Sequence, residues 1–145
     1  MKLEIKHLAP YLPYNLRFDN GRDYEKDYLY GMRANCYNVK MAQGARDSDY
    51  FRLEKIKPVL RPISDLTKEI EHNGEKFVPI DKLKLDGISI RINDFGLMVF
   101  FDEDYEWVYF KDIVDNIYQK LLSWHFDIFS LIQNGLAIDI NKIKL

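Results

Sequence analysis

The chain has 145 residues, 47% of them hydrophobic and 30% charged, with a net charge of −2. A globule of that length buries about 68% of the surface its unfolded form exposes, so a core without staples is within reach, and the composition excludes a fibrous or disordered chain. A lone cysteine, Cys36, excludes an intrachain disulfide and a cysteine-cluster zinc site.

From Leu3 to about Leu53 apolar and polar residues alternate between turn residues, which predicts short antiparallel strands. Tyr14, Leu16 and Phe18 alternate with Asn15, Arg17 and Asp19, and Asn20-Gly21 follows as a tight-turn pair. Tyr28, Tyr30 and Met32 line one face of a second strand, and Tyr37, Val39 and Met41 one face of a third. Residues 43–49 read as a loop, residues 50–56 as a fourth strand. In Lys57-Pro58-Val59-Leu60-Arg61-Pro62 two prolines exclude helix and suit an edge strand or an extended connector.

Ser64-Asp65 is an N-cap pattern, Leu66 and Ile70 share a helical face and Asn73-Gly74 supplies a stop, which predicts a helix of two turns. Residues 77–80 are too brief to assign. Ile88, Ile90 and Ile92 alternate with Ser89, Arg91 and Asn93, then Asp94-Phe95-Gly96 turns into the apolar run Leu97-Met98-Val99-Phe100-Phe101, a second hairpin. Polar residues from Asp112 to Asn134 recur at three- and four-residue steps opposite Ile113, Ile117, Leu121, Ile128 and Ile132, which predicts one long amphipathic helix over 109–133 capped by Asn134-Gly135. Leu136, Ile138 and Ile140 read as a final strand returning to the sheet. With no repeat and no linker, the expectation is a single α+β domain over 1–145: a curved antiparallel sheet of N-terminal strands and the later hairpin, packed against a short helix and the long C-terminal one.

No apolar run approaches the ~20 residues of a membrane helix, and Met1-Lys2-Leu3-Glu4-Ile5-Lys6 lacks a signal peptide's apolar stretch, so we expect a cytoplasmic protein without a membrane partner. The seven glycines form neither a P-loop nor a dinucleotide fingerprint. The run Asp102-Glu103-Asp104-Tyr105-Glu106 begins like a calcium loop, but Trp107 stands where the turn needs glycine and Ile113 where a bidentate Glu belongs, so it reads as a solvated turn. His7, His72 and His125 have no partner ligand at metal-binding spacing. His125, amid Leu121, Leu122, Ile128 and Phe129, could serve as a general base or pH switch, but reads first as a core histidine bonded to a buried carbonyl or carboxylate. His72 fits a helix C-terminus. Cys36 has only Arg33 and Lys40 as basic neighbours in sequence and reads as strand filler. We expect no catalytic residue, no metal and no cofactor.

Charge is unevenly spread: residues 1–60 stand at +3 and residues 61–145 at −5, and the first segment holds seven of the ten tyrosines. The candidate binding residues lie there: Arg17, Arg22, Tyr28, Tyr30, Arg33, Tyr37, Lys40, Arg46 and Arg52, with Tyr24 and Tyr50 interleaved. Rings for stacking and cations for phosphates suit a single-strand nucleic-acid binder, and the same residue types are enriched at protein interfaces. The plainest reading puts tyrosines of one face in the core and the charges on a solvated back face.

Three segments carry a resemblance: residues 7–14 (HLAPYLPY), residues 57–70 (KPVLRPISDLTKEI), and residues 124–129 (WHFDIF) continuing to residues 135–141 (GLAIDIN). They resemble a group of small uncharacterised proteins carried by bacteriophages and prophages of Gram-negative, Bacteroides-like hosts, with Asn15 where that group often has glycine. The resemblance spans both ends and the middle of the chain; residues 17–56 match nothing in that group. It implies origin rather than chemistry, and, with size and lack of catalytic motifs, it suggests an inhibitor of RNA-guided nucleases of the anti-CRISPR type. The expected partner is then a host protein or ribonucleoprotein complex, RNA included. The alternatives are a virion or replication accessory protein that self-associates, and a small hydrolase or nuclease using His125 with Asp127 or the 102–106 run.

Overall fold

The computed structural model describes residues 1–19, 29–32, 38–41, 50–83, 88–93, 96–101 and 110–143, with side chains described at 1–19, 53–83 and 115–143. It is an α+β fold of short elements: helix α1 (Ile5–Leu8), a 3-10 segment (Ala9–Tyr14), strands β1 (Phe18–Asp19), β2 (Leu29–Met32), β3 (Asn38–Met41), β4 (Tyr50–Arg52) and β5 (Lys57–Leu60), then β6 (Ile70–His72), β7 (Glu75–Phe77), helix α2 (Pro79–Leu83), β8 (Ile88–Asn93), β9 (Gly96–Phe101), helix α3 (Phe110–Ser123) and β10 (Ile138–Asp139). Among the described residues the strands form four separate sheets of two or three strands, not one curved sheet. Asn20-Gly21, Cys36, the loop 43–49 and the acidic run 102–106 lie outside the described residues.

Two compact units divide the chain: Met1–Pro62 with His125–Leu145, and Ile63–Trp124. The first is built around β5, which takes β1 antiparallel on one edge and β10 parallel on the other. Pro58 therefore sits in a central strand, contrary to the edge position its missing N–H predicts. The register shows why it is tolerated. Pro58 faces Phe18 while Val59 N–H donates to the Arg17 carbonyl at 2.9 Å, so that ladder asks nothing of the proline nitrogen, and the β10 ladder begins only at Val59. Beyond β1, the same edge of the β5 chain is taken over by residues 125–127: Arg61 N–H donates to the His125 carbonyl and Asp127 N–H to the Arg61 carbonyl, both at 2.8 Å. Leu8, Tyr11, Leu16, Phe18, Leu60, Phe126 and Leu131 are fully buried in this unit, each large apolar side chain contributing about 1.5–3 kcal/mol. Pro10 and Pro13 hold residues 9–14 in a 3-10 segment, so the predicted strand alternation starts only at Leu16, after Asn15 turns the chain at φ 53°.

In the second unit the two-turn helix expected after Ser64 is absent. Residues Ile63–Thr67 form a 3-10 turn, and Ile70–His72 pairs with Glu75–Phe77 as a hairpin. Asn73 and Gly74 both have positive φ, 51° and 79°, the backbone of a two-residue hairpin turn, so the pair joins strands instead of ending a helix and His72 lies on a strand. The β8–β9 hairpin forms as read, with Ile88, Ile90 and Ile92 registered against Phe101, Val99 and Leu97. Helix α3 buries Ile117, Leu121 and Leu122 and exposes Asp115, Asn116 and Gln119.

The long helix over 109–133 is not formed: α3 stops at Ser123. The apolar periodicity beyond it belongs to a separate set of turns over 124–137. His125 adopts φ 61°, which a right-handed helix forbids, because its carbonyl is committed to Arg61. Asn134-Gly135 does cap, but it caps these later turns: Gly135 at φ 72° lets Leu136 N–H reach the Leu131 carbonyl at 2.9 Å and its own N–H the Ile132 carbonyl at 3.0 Å.

Candidate functional site

Strands β2, β3 and β4 form an antiparallel sheet in that order. Lys40 is registered against Gly31 on one side and Tyr50 on the other, and Asn38 against Arg52. Strand residues alternate faces, so Asn38, Lys40, Tyr50 and Arg52 fall on one face and Met32, Val39 and Phe51 on the other. Lys40 and Arg52 are diagonal neighbours, positions that lie about 7–8 Å apart in an antiparallel pair. The register shifts between Leu29 and Gly31, which makes Tyr30 the extra residue of a β-bulge.

Of the sequence-predicted binding residues, the structure thus brings Lys40 and Arg52 together and sets Tyr30 at the bulge of the same sheet. Arg17 stands elsewhere in the unit, exposed just before β1, its carbonyl paired with Val59. Arg22, Tyr28, Arg33, Tyr37 and Arg46 lie outside the described residues. Asn38 carries neither ring nor charge, so residue type alone does not mark it. Its period-two spacing from Lys40 is the signal the sequence offers, but choosing its partner requires the register.

His125 and Asp127, which a hydrolytic reading would use, are tied to backbone. Both carboxylate oxygens of buried Asp127 accept N–H groups, from Leu131 at 2.9 Å and Ile132 at 2.8 Å, so the side chain caps the turns that follow it. His125 Nε2 lies 2.5 Å from the Tyr14 carbonyl; a carbonyl only accepts, so that nitrogen carries the proton. This is the backbone-bonded histidine the sequence suggested, although half-buried in a turn and not on a helix. Tyr11, which no motif singles out because tyrosine is common in cores, closes the network. Its fully buried hydroxyl donates to the Phe126 carbonyl at 2.5 Å and receives Ile128 N–H at 3.4 Å. Burial pushes its phenol well above the ordinary value, the Ile128 N–H pulls the other way, and the Asp127 charge adds to the rise. Phe129 meets the ring of Tyr11 edge-on and that of buried His7 at a tilt, and His7 Nδ1 accepts the Glu4 N–H at 3.0 Å.

In the second unit Lys82 Nζ lies 4.2 Å from the centroid of Phe77 and 2.5 Å from Glu75, and Phe77 packs on Trp124 with centroids 5.1 Å apart. Among the described residues no cluster of His, Cys, Asp and Glu could hold a metal ion, and no helix is long and apolar enough to cross a membrane. Comparison of the chain with protein-family models, curated proteins and solved structures gave no match.

Proposed function

We propose that this chain is a non-enzymatic, phage-type binding protein that inhibits host defence by occupying an RNA-guided nuclease or its guide RNA in the bacterial cytoplasm. The observation that carries the reading is the two-faced β2–β3–β4 sheet: an apolar row of Met32, Val39 and Phe51 on one side, and Asn38, Lys40, Tyr50 and Arg52 on the other. A sheet with an apolar row on one face and cations and a ring on the other has the make-up of a contact surface. The commitment of Asp127 and His125 to backbone partners supports occupation over turnover.

The test is cleavage of target DNA by a guide-loaded nuclease from a Bacteroides-like host, titrated with the purified chain. Stoichiometric loss of cleavage that persists when Asp127 is replaced by Asn supports the reading. Many cycles of substrate conversion by the chain alone would overturn it.

A further inference from the structure

Building on that binding role, we infer that the β2–β3–β4 sheet holds the sugar-phosphate backbone of single-stranded RNA through Lys40 and Arg52, with Tyr50 as the stacking residue. The register sets these residues in a two-by-two block, cations on one diagonal and Tyr50 and Asn38 on the other. Neither cation has an acidic residue opposite it: Lys40 stands between Gly31 and Tyr50, Arg52 across from Asn38. The eleven residues of the three strands contain no carboxylate at all. The β6–β7 hairpin shows the opposite arrangement, Glu71 directly facing Lys76. Within these eleven described strand residues two positive charges stand with no carboxylate at any registered position, a composition that complements a polyanion.

Two features favour a single strand. Glycine at position 31, beside Lys40, leaves that point of the sheet without a side chain, as where another backbone approaches closely. Tyrosine offers its ring only to a base out of its helix, which a duplex does not supply. Asn38 adds an amide able to meet a phosphate oxygen, a 2′-hydroxyl or a base edge.

The experiment is fluorescence anisotropy of a labelled single-stranded oligouridylate, and of its duplex with oligoadenylate, across a sodium chloride series. Each phosphate contact on a single strand adds about 0.7 to the slope of log affinity against log salt, so K40A/R52A should flatten the slope by about 1.4. Tyr50→Leu should weaken binding about 5- to 150-fold with the slope unchanged. K55A/K57A removes two lysines from exposed positions of the same unit and should leave slope and affinity near wild type. K40Q/R52Q provides a second charge-neutral variant if the alanine pair fails to fold, checked by circular dichroism. An unchanged slope in the folded neutral variants, an equal loss in K55A/K57A, or duplex bound as tightly as single strand would overturn the inference. If the wild-type chain binds no RNA yet still inhibits a nuclease, the RNA site is wrong and the binding role stands; if it does neither, both fall.

Discussion

Two polar clusters, one in each unit, hold their surroundings by different means: the first joins residues over 100 positions apart, the second residues within seven of one another. Around Tyr11 and Asp127 a hydroxyl and a carboxylate, both in buried residues, are matched to the backbone of residues 126–132. Around Phe77 and Lys82 the cation is 40% exposed and its partner Glu75 62%. The same kinds of bond are therefore worth different amounts. A buried polar group without its partner bears its full desolvation cost, whereas an exposed ion pair exchanges with water.

The largest effect should follow Asp127→Ala, which leaves the N–H of buried Leu131 and that of half-buried Ile132 without their acceptors; about 3 kcal/mol of stability should be lost in urea unfolding, and Asp127→Asn should recover part of it. Tyr11→Phe comes next, at about 1–2 kcal/mol, because the Phe126 carbonyl loses the buried hydroxyl and keeps the Ile128 N–H, at 3.1 Å, as donor. The raised phenol gives this variant a second signature. The unfolded chain ionises Tyr11 near its ordinary value of about 10 while the folded chain keeps it neutral, so the stabilisation is intact below that pH and erodes above it. Wild type should lose stability as pH rises past about 10, and Tyr11→Phe should lose less over the same range. Equal alkaline slopes in urea melts would show that Tyr11 is not the group responsible.

The same contrast explains what could be read in advance. Where contacts are local the pattern sufficed: the β8–β9 hairpin and the placing of β2 and β3 follow from period-two alternation. Where distant residues compete for the backbone it failed. The apolar spacing over 109–133 is helical throughout, yet Arg61 takes the backbone of His125 and Asp127 and breaks the helix at Ser123. The β2–β4 face was legible as residue types but not as an arrangement, since only the register sets Lys40 and Arg52 on one diagonal. Asn73-Gly74 is recognisable as a turn, but the elements it joins are two strands and not the end of a helix. That correction is testable: Gly74→Ala forces φ 79° on a residue with a Cβ and should cost about 1 kcal/mol, although nothing lies within 4 Å of the added atom. Both tryptophans fall within 63–124, so tryptophan emission reports the loss in the unit that holds the hairpin.

The smallest effect belongs to the exposed cluster. Lys82 pairs with Glu75 and covers the face of Phe77, so Lys82→Ala should cost about 0.5–1 kcal/mol, and Glu75→Gln, which removes the charge pair alone, about 0.3 kcal/mol. The two separate by salt: the Glu75→Gln deficit should vanish in molar sodium chloride, where the screening length falls to about 3 Å, while the part of the Lys82→Ala deficit due to lost cover over Phe77 should persist. A Lys82→Ala deficit as large as that of Tyr11→Phe would erase the distinction between buried and exposed clusters, because it would mean that a cation in contact with water anchors its unit as firmly as a hydroxyl sealed from it.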